Sequence, residues 1–556
     1  MKHYRKQALT LFVFIVVILC FVSCNLSNIL PANDIDHDIY LLDGTPVSGP
    51  EEIKFKTLVK RIVSNIRPDK YYPEIEIINP LKESIFPIDM ASTDFVWNDQ
   101  YLKSNIWLVI IRFKSNKNSI YLLTSKIEWR PDKKIWEIIK ANSLKSSAII
   151  TILGINAKKS FEVITKNSVT ISTSKDPVGA SVFYQHMPLP FARAKKHPEL
   201  SKWYLGDVSS YEDPPVIMEK LPMCGNCHSF SGDGKIFGMD MDYRKDKGAY
   251  ALTPVREHIN IKADDFITWN DFQKSEKSKS MGLFSRISPD GKYVVSTVKE
   301  TSFFAMIPDL EFSQFFFPIR GLIACYSREE KRFFSLPGAD NPNYVQTCPV
   351  WSPDGKHIVF SRDTVNRRLT EIIGDKGYID IEPDIRIGDL NKQYKIHFNV
   401  YRVSFNGGKG GVPELIKGAS HNGKSNYFPR YSPDGKWIVF TQSETGLAIQ
   451  PDSRLCIIPA EGGAARILKC NRKIMNSWHS WSPNSRWLVF ASKANTPFTE
   501  LFLTHIDKYG NSSVPVLLPR FSSKSCAVIV PEFVNLKKYG IKKFRIKYLD
   551  KIVTPN

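Results

Sequence analysis

The chain has 556 residues, a formal net charge of +20, and 42% hydrophobic residues. A chain of this length can bury several cores, so it is not a small domain that depends on disulfides. The basic residues are spread along the whole sequence without a helix-turn-helix, zinc-finger or RNA-binding signature, so the charge does not predict a nucleic-acid partner. We expect the charge to favour solubility and contact with an anionic membrane or an acidic partner.

Residues 1–23 have the features of a secretory signal. Basic residues precede an apolar run over residues 8–22, which is shorter than the ~20 residues of a membrane-spanning helix. Ser23 and Cys24 follow, and this pair resembles a bacterial lipobox, in which the Cys is acylated. We predict an exported protein anchored by a lipid on Cys24, on the periplasmic side of the outer membrane. An uncleaved N-terminal anchor is the alternative.

The next segments predict a tether and a first domain. Residues 24–50 are predicted to link the lipid to the fold. In residues 51–67 apolar side chains recur near helical spacing, which indicates a short amphipathic helix. Residues 68–174 contain strand-like runs with short polar breaks and no evident helix. We therefore predict that residues 51–175 form a small antiparallel β-sandwich on which the helix packs.

Residues 224–228 read Cys-Gly-Asn-Cys-His, which is the C-x-x-C-H spacing used to attach a c-type haem. Two thiols at this spacing can each form a thioether with one vinyl group of the porphyrin, and the adjacent imidazole can ligate the iron. We predict one covalent haem c held by Cys224, Cys227 and His228. The alternative is a disulfide or dithiol formed by the two Cys, followed by an unrelated His.

Several side chains are candidates for the sixth ligand of the haem iron. Met239 and Met241 follow the motif on a strand-like stretch and, being two residues apart, share one face of that strand. His186 lies on an earlier predicted strand. The iron could also be five-coordinate. The full set of candidates is Met239, Met241, His186, His258, Met218 and water.

The remaining cysteines form no obvious disulfide framework. Of the nine, five are left after Cys20, Cys24 and the motif pair are set aside, so at least one of them cannot pair within the set. We expect most of them to be buried small hydrophobic residues. They are Cys325, Cys348, Cys456, Cys470 and Cys526.

A turn followed by a strand recurs five times from residue 228 onward, and the first copy is eroded. The copies are HSFSGDGKIFGMDM, FSRISPDGKYVVSTV, PVWSPDGKHIVFSR, PRYSPDGKWIVFTQ and HSWSPNSRWLVFAS. Their acidic or amide positions (Asp233, Asp290, Asp354, Asp434 and Asn484) are 57, 64, 80 and 50 residues apart. Asp can hydrogen-bond the local backbone, Gly accepts positive φ, and a short apolar strand follows. Such repeats indicate four-stranded blades of a β-propeller rather than unrelated hairpins.

These strings resemble the TolB-type, WD-repeat-like β-propellers of exported bacterial proteins. The chain also resembles a group of lipoprotein-like bacterial chains in which a cytochrome c-type motif opens such a propeller. The strings that carry this resemblance are PMCGNCHSFSGDGK, LPGADNP and MNSWHSWSPNSRWLVFASK. The resemblance covers residues 176–535 and implies one haem at the motif, but it implies little about function.

The predicted fold class is therefore all-β: the β-sandwich, then a TolB-like propeller of about six blades over residues 176–550. The segments 181–191 and 201–210 are predicted to complete the last blade together with the C-terminal strings VPEFV and KKFRIKYL, which hides the sheet edges.

The motifs favour binding or electron transfer over hydrolysis. The sequence contains no G-x-S-x-G nucleophile elbow, Gly-rich phosphate loop or zinc-type cysteine pairing. We predict a lipid-anchored monohaem cytochrome that docks a redox partner or substrate, with a haem enzyme as a further option. The alternative is a haem-free propeller that binds a protein or glycan. Polar residues that could form a ligand site on the propeller face, or simply fix the blades, are His479, Ser477, Asp452, His421 and Asn422.

Overall fold

The computed structural model describes residues 37–101, 103–221, 223–275, 279–374, 382, 384–536 and 540–546. The predicted signal segment and Cys24 lie outside the described residues. The fold is mostly β, with 44% of residues in strands and 13% in helices. Within these ranges no helix is long and apolar enough to cross a lipid bilayer.

The N-terminal region is built around a seven-stranded sheet. Its elements are, in chain order, β1 (Ile39–Leu42), β2 (Thr45–Pro46), α1 (Pro50–Ser64), β3 (Glu76–Asn79), β4 (Ser84–Pro87), β5 (Phe95–Asn98), β6 (Ile106–Phe113), β7 (Ser119–Thr124), β8 (Glu128–Trp129), α2 (Lys133–Asn142), β9 (Ala148–Asn156) and β10 (Glu162–Ser174). The order in the large sheet is β2-β1-β7-β6-β9-β10-β4, and β3, β5 and β8 form a three-stranded sheet. β1 lies in the segment predicted as a tether, where it pairs in parallel with β7.

The two helices of this region cover opposite faces of the large sheet. α1 packs Val59 and Ile62 against Leu153 and agrees with the helix predicted over residues 51–67. α2 packs Trp136 on the other face and was not predicted. The signal for α2 is present in the sequence, because Asp132 accepts a hydrogen bond from the N–H of Ile135 (2.8 Å) as an N-cap before an apolar run at helical spacing.

The rest of the chain forms a propeller. Its elements are, in chain order, β11 (Ser181–Pro188), α3 (Phe191–Lys196), β12 (Lys202–Gly206), β13 (Val216–Glu219), β14 (Gly225–Phe230), β15 (Ile236–Met241), β16 (Ala249–Pro254), β17 (His258–Ile261), β18 (Phe266–Thr268), β19 (Leu283–Ile287), β20 (Tyr293–Met306), β21 (Gln314–Ser327), β22 (Arg332–Ser335), β23 (Tyr344–Trp351), β24 (His357–Thr364), α4 (Arg367–Ile373), α5 (Ile387–Gln393), β25 (Asn399–Ser404), β26 (Glu414–Leu415), β27 (Ser425–Tyr431), β28 (Trp437–Ser443), β29 (Arg454–Pro459), β30 (Arg466–Ile467), β31 (Asn476–Trp481), β32 (Trp487–Ser492), β33 (Glu500–His505), β34 (Val516–Leu517), β35 (Cys526–Val534) and β36 (Lys543–Ile546).

These strands form six four-stranded blades, which confirms the propeller prediction. Written from the inner strand outward, they are the closing blade (β35-β11-β12-β13), blade 1 (β14-β15-β16-β18), blade 2 (β19-β20-β21-β22), blade 3 (β23-β24-β25-β26), blade 4 (β27-β28-β29-β30) and blade 5 (β31-β32-β33-β34). Blades 2 and 3 are also joined by one parallel bridge, between Gly321 and Val345.

The closing blade combines strands from both ends of the propeller. β35 pairs antiparallel with β11, as predicted for the VPEFV string and for residues 181–191. The prediction for the second C-terminal string, KKFRIKYL, was wrong. β36, which belongs to that string, pairs in parallel with β17 in the connection between β16 and β18. There Phe544 packs against Phe237 with ring centroids 4.7 Å apart, a long-range contact that a strand pattern does not reveal.

A long hairpin covers one end of the ring. β20 and β21 have 14 residues each and extend beyond blade 2, carrying Phe303 and Phe317. These rings pack with α4 and α5, which lie in the insertion between β24 and β25, in one apolar cluster. We call this hairpin and the two helices the cap. At its tip the Phe312 ring lies 5.7 Å from the ammonium of Lys493 on blade 5, so the cap spans the ring.

The N-terminal region packs on the closing blade and blade 5. One apolar core contains residues of both regions, among them Trp136 of α2 and the fully buried Trp487 of β32. The indole N–H of Trp487 donates to the carbonyl of Asp176 (3.0 Å), and the imidazole of His505 lies 2.8 Å from the carboxylate of the same residue. The two regions therefore share a core.

Candidate ligand site on the propeller axis

Each inner strand carries an irregularity at an equivalent position. In the repeats, this position lies four residues before the first Ser of the turn, and the register of the strand pair shifts there. β35 has the same shift. The residues are Cys227, Phe284, Cys348, Phe428, Trp478 and Val530, and all except Cys227 have positive φ, between 40° and 60°. A β-bulge of this kind turns a side chain away from its regular direction. Positive φ in residues other than Gly is uncommon and strained, and such strain clusters at functional sites.

The six side chains line one common pocket. The other lining residues are Arg286, Pro349, Val350, Arg430, His479 and Pro531. Phe284 and Phe428, whose ring centroids are 5.3 Å apart, pack against the cap. The pocket thus combines aromatic rings, thiols and charged groups.

Two guanidinium groups and one carboxylate lie next to each other at the axis. Arg286 and Arg430 line the pocket two residues after the bulge positions of β19 and β27, and Glu532 occupies the matching position of β35. Arg286 Nη1 donates to Glu532 Oε2 and to the carbonyl of His228 (3.0 Å). Arg430 Nη2 lies 3.8 Å from the same Glu532 oxygen, outside hydrogen-bonding distance. The exposed fraction of the side chain is 12% for Arg286, 19% for Arg430 and 9% for Glu532.

The local charge at the axis is unbalanced. Burial alone would raise the pKa of Glu532, but Arg286 and Arg430 outweigh this and lower it, so the carboxylate is ionised. Burial and the neighbouring Arg286 lower the pKa of Arg430 to about 10, which leaves it protonated at neutral pH. Burial raises the pKa of the nearby Asp240 carboxyl well above its usual range. Two cations therefore face one anion.

His479 lines the pocket and carries a buried hydrogen-bond acceptor that is unused. Its Nε2 lies 3.1 Å from the carbonyl of Val439, and this contact requires the proton on Nε2. Burial lowers the pKa of His479 to about 3, so the ring is neutral. Its buried Nδ1 has no hydrogen-bond partner among the described residues.

The residues of the C-x-x-C-H motif face different surroundings. Cys227 lines the axial pocket. His228 is fully buried, and its ring packs on Phe183 with centroids 4.4 Å apart, between blade 1 and the closing blade. Cys224 does not line the pocket; its carbonyl accepts from the N–H of Asp242 (3.1 Å) at the start of the strand pair. A porphyrin needs both thiols at its edge and the imidazole on its iron, so this arrangement does not fit a haem.

The candidate sixth ligands lie in different surroundings. Met239 pairs with His228 across β14 and β15 and is fully buried, and Met241 and Met218 lie in the same apolar core. His186 lies on β11, where it stacks on Tyr204 and its Nε2 is 3.0 Å from the carbonyl of Phe521. His186 therefore faces the opposite side of β11 from Phe183, and Phe183 is the residue that packs on His228. His258 is exposed on β17.

The cysteines of the described chain are free thiols. Burial raises the pKa values of Cys227 and Cys348 to about 12, so both pocket thiols are neutral rather than reactive thiolates at neutral pH. Among the residues that the structure describes, no three His, Cys, Asp or Glu side chains are grouped so that they could hold a metal ion.

The polar residues predicted for the propeller face are dispersed. Only His479 lines the axial pocket. Ser477 is fully buried on the same strand. Asp452 accepts a hydrogen bond from the N–H of Glu444 (2.6 Å), the side chains of Asn422 and Asn426 bond each other (3.2 Å), and the His421 N–H donates to Asn399 (2.6 Å). The hydrogen bonds of Asp452, Asn422 and His421 thus stabilise loops and strand ends.

Arg286, Arg430 and Glu532 were missed by the sequence analysis. An alignment of the repeats contains the signal for the two Arg, because each stands two residues before the first Ser of its turn (Ser288 or Ser432). A charged side chain at a repeated position of a buried strand points to a common function in the interior. Glu532 carries no such signal, because the closing blade lacks the turn.

No protein-family model and no curated protein sequence matches the chain. Similar solved structures include TolB from Acinetobacter baumannii, with 14% identity over 70% of this chain and 79% of that chain and a TM-score of 0.39. A TolB from Agrobacterium tumefaciens has 14% identity over 60% of this chain and 88% of that chain, with a TM-score of 0.32. An oligogalacturonate lyase in complex with manganese has 13% identity over 55% and 69%, with a TM-score of 0.34. The propeller fold is therefore assigned from the six four-stranded sheets of this chain and not from these similarities.

Proposed function

We propose that this protein is an exported propeller that binds a small molecule in the axial pocket and does so without haem. The observation that carries the proposal is the convergence of six bulged inner strands on one pocket. Positive φ at five non-Gly positions costs free energy, on the order of 1 kcal/mol each. Strain of this kind is expected where side chains must be aimed at a ligand.

The repeat alignment also supports a haem-free protein. Cys227 takes the bulge position that Cys348 takes in β23, and His228 takes the position of His479 in β31. Both His are neutral and buried, since burial lowers each pKa to about 3. The blade repeat thus accounts for the positions of Cys227 and His228. The two His differ in one respect: both ring nitrogens of His228 lack a hydrogen-bond partner among the described residues, whereas His479 contacts the carbonyl of Val439.

Export and lipid anchoring remain proposals that rest on the sequence of the first 24 residues. An anchored binding propeller would present its pocket to solutes outside the cytoplasm.

A fragment screen tests the pocket as a binding site. The wild-type protein is heated with a panel of small neutral, acidic and basic aromatic fragments, and the unfolding midpoint is recorded. In parallel, Cys348→Phe fills the pocket; Phe is compatible with the backbone there because Phe284 and Phe428 occupy the same bulge position. We expect some fragments to raise the midpoint of the wild type but not of Cys348→Phe. Cys456→Val, buried away from the axis, is the matched control and should respond as the wild type does.

If no fragment distinguishes the wild type from Cys348→Phe, the axial pocket is not a binding site. Covalent haem attachment is tested separately, by coexpression with the cytochrome c maturation machinery followed by mass spectrometry. We expect the mass of the polypeptide and its lipid alone, without a Soret band. An added haem mass, lost in Cys227→Ser, would overturn the haem-free proposal and favour the electron-transfer prediction.

A further inference from the structure

We propose that the axial pocket selects small monocarboxylates and that Arg430 binds their carboxylate. This inference rests on the proposed function, because it names the ligand class of the same pocket. It starts from the charge at the axis, where two guanidinium groups face one carboxylate.

The Arg430 guanidinium lacks an acceptor of its own. Its five N–H donors make no hydrogen bond within the described residues, and its one ionic contact is the 3.8 Å approach to Glu532 Oε2. Its exposed fraction is 19%, and none of its nitrogens is shut off from solvent, so water in the pocket reaches these donors until an anion displaces it. A largely buried, unpaired guanidinium is costly unless an anion completes it.

Glu532 accepts no hydrogen bond from Arg430, because Nη2 lies 3.8 Å from Oε2. Oε2 accepts the hydrogen bond from Arg286, and Oε1 accepts from the backbone N–H of Phe230 (3.4 Å). Arg286 is also held by the carbonyl of His228. The Arg286–Glu532 pair is thereby fixed, and Arg430 remains available to the pocket. A planar guanidinium and a carboxylate form two parallel hydrogen bonds, which makes a carboxylate the best-matched anion.

The surplus at the axis is a single positive charge, which favours a ligand with one negative charge. A dianion such as a phosphate monoester would carry a second charge that the pocket does not neutralise. The rest of the lining suits an apolar or planar body, because Phe284, Phe428 and Trp478 present rings and Val530 an aliphatic side chain.

Three matched probes test the charge preference by calorimetry: benzoate, benzamide and benzylammonium. They share a ring and differ in charge. We expect benzoate to bind the wild type roughly tenfold or more tightly than benzamide, because only benzoate completes a charge-assisted pair. Benzylammonium should bind most weakly. In Arg430→Gln the advantage of benzoate over benzamide should disappear, while the affinity for benzamide changes little.

Two further variants keep the outcome interpretable. Arg430→Lys retains the charge without the planar donor pair and should keep part of the preference. Arg466→Gln removes an exposed Arg that bonds Asn511 away from the axis and should bind as the wild type does. Circular dichroism and the unfolding midpoint establish that each variant is folded.

Equal affinity of the wild type for benzoate and benzamide would overturn the proposal, as would an unchanged preference in folded Arg430→Gln. In either case, the proposed binding function would still stand if neutral fragments bind the wild type but not Cys348→Phe. Failure of every fragment would instead remove the proposed function itself.

Discussion

His228 shows how one side chain can satisfy a cofactor motif and a structural repeat at once. Its imidazole packs on Phe183 inside an apolar core, and its carbonyl accepts the hydrogen bond from Arg286. The backbone of the motif therefore positions a charged group of the pocket, while the ring fills space between two blades. The spacing of a motif could be recognised from the sequence, but the direction of each side chain depends on a bulge that spacing does not encode.

The buried imidazole of His228 makes stability depend on pH. Burial lowers its pKa from 6.5 to about 3, so the folded state keeps the ring neutral while the unfolded state takes up a proton below 6.5. Stability is therefore fully present above pH 6.5 and falls as the pH drops toward 3, by about 1.4 kcal/mol per pH unit. In His228→Leu we expect the free energy of unfolding, measured in urea between about pH 6 and pH 4, to fall less steeply by that amount. His421→Leu, at an exposed position, is the control. A slope equal to that of the wild type in His228→Leu would contradict the prediction.

At the level of elements, the recurring turn is a small hydrogen-bonded unit. In blade 3, Ser352 Oγ donates to Asp354 Oδ1 (2.6 Å), which accepts from the N–H of Lys356 (3.1 Å), and Ser352 Oγ accepts from the N–H of His357 (2.9 Å). The hydrogen bond from Ser352 lowers the pKa of Asp354. The same bonds recur in the other four copies, which begin at Ser231, Ser288, Ser432 and Ser482.

The glycine of this turn is required by its backbone conformation. Gly355 has φ of 70°, and a Cβ added there would meet no atom within 4 Å, so any cost of Gly355→Ala comes from φ alone. We expect this variant to lose about 1 kcal/mol of stability. Gly388→Ala in α5 also meets no atom within 4 Å and has no positive φ, so it should be neutral or gain up to about 1 kcal/mol. Chemical denaturation measures both, and equal changes in the two variants would refute the argument.

These turns explain why the propeller could be predicted from the sequence. Ser, Asp and Gly recur at fixed offsets because the same local bonds close each turn, and the strands that follow have local apolar patterns. α2 could also have been predicted from its N-cap. The placement of β36 beside β17 and of Glu532 beside Arg286 could not, because both depend on contacts between residues more than two hundred positions apart.

For the whole molecule, the N-terminal region and the propeller share one apolar core. Trp487 is fully buried in that core and donates to the carbonyl of Asp176, and Arg520 donates to the carbonyl of Ser92 (2.9 Å). A shared core of this kind makes independent unfolding of either region costly. We infer that the two regions unfold together.

Calorimetry of the wild type should therefore give one unfolding transition. Trp487→Ala removes a large ring from the shared core and should cost about 3–5 kcal/mol. We expect it to lower the unfolding temperature and to separate the transition into two. Ile467→Ala, on the exposed part of blade 4, serves as the control and should keep the single transition. Two transitions in the wild type would contradict the inference.

The closure of the ring by β35 has a consequence for the order of assembly. Arg286 and Arg430 belong to strands synthesised well before β35, and β35 is the strand that supplies Glu532. Until β35 docks, the nascent ring holds two cations that repel each other and stay hydrated. The docking of β35 therefore completes the ring and places a carboxylate beside Arg286 in the same step.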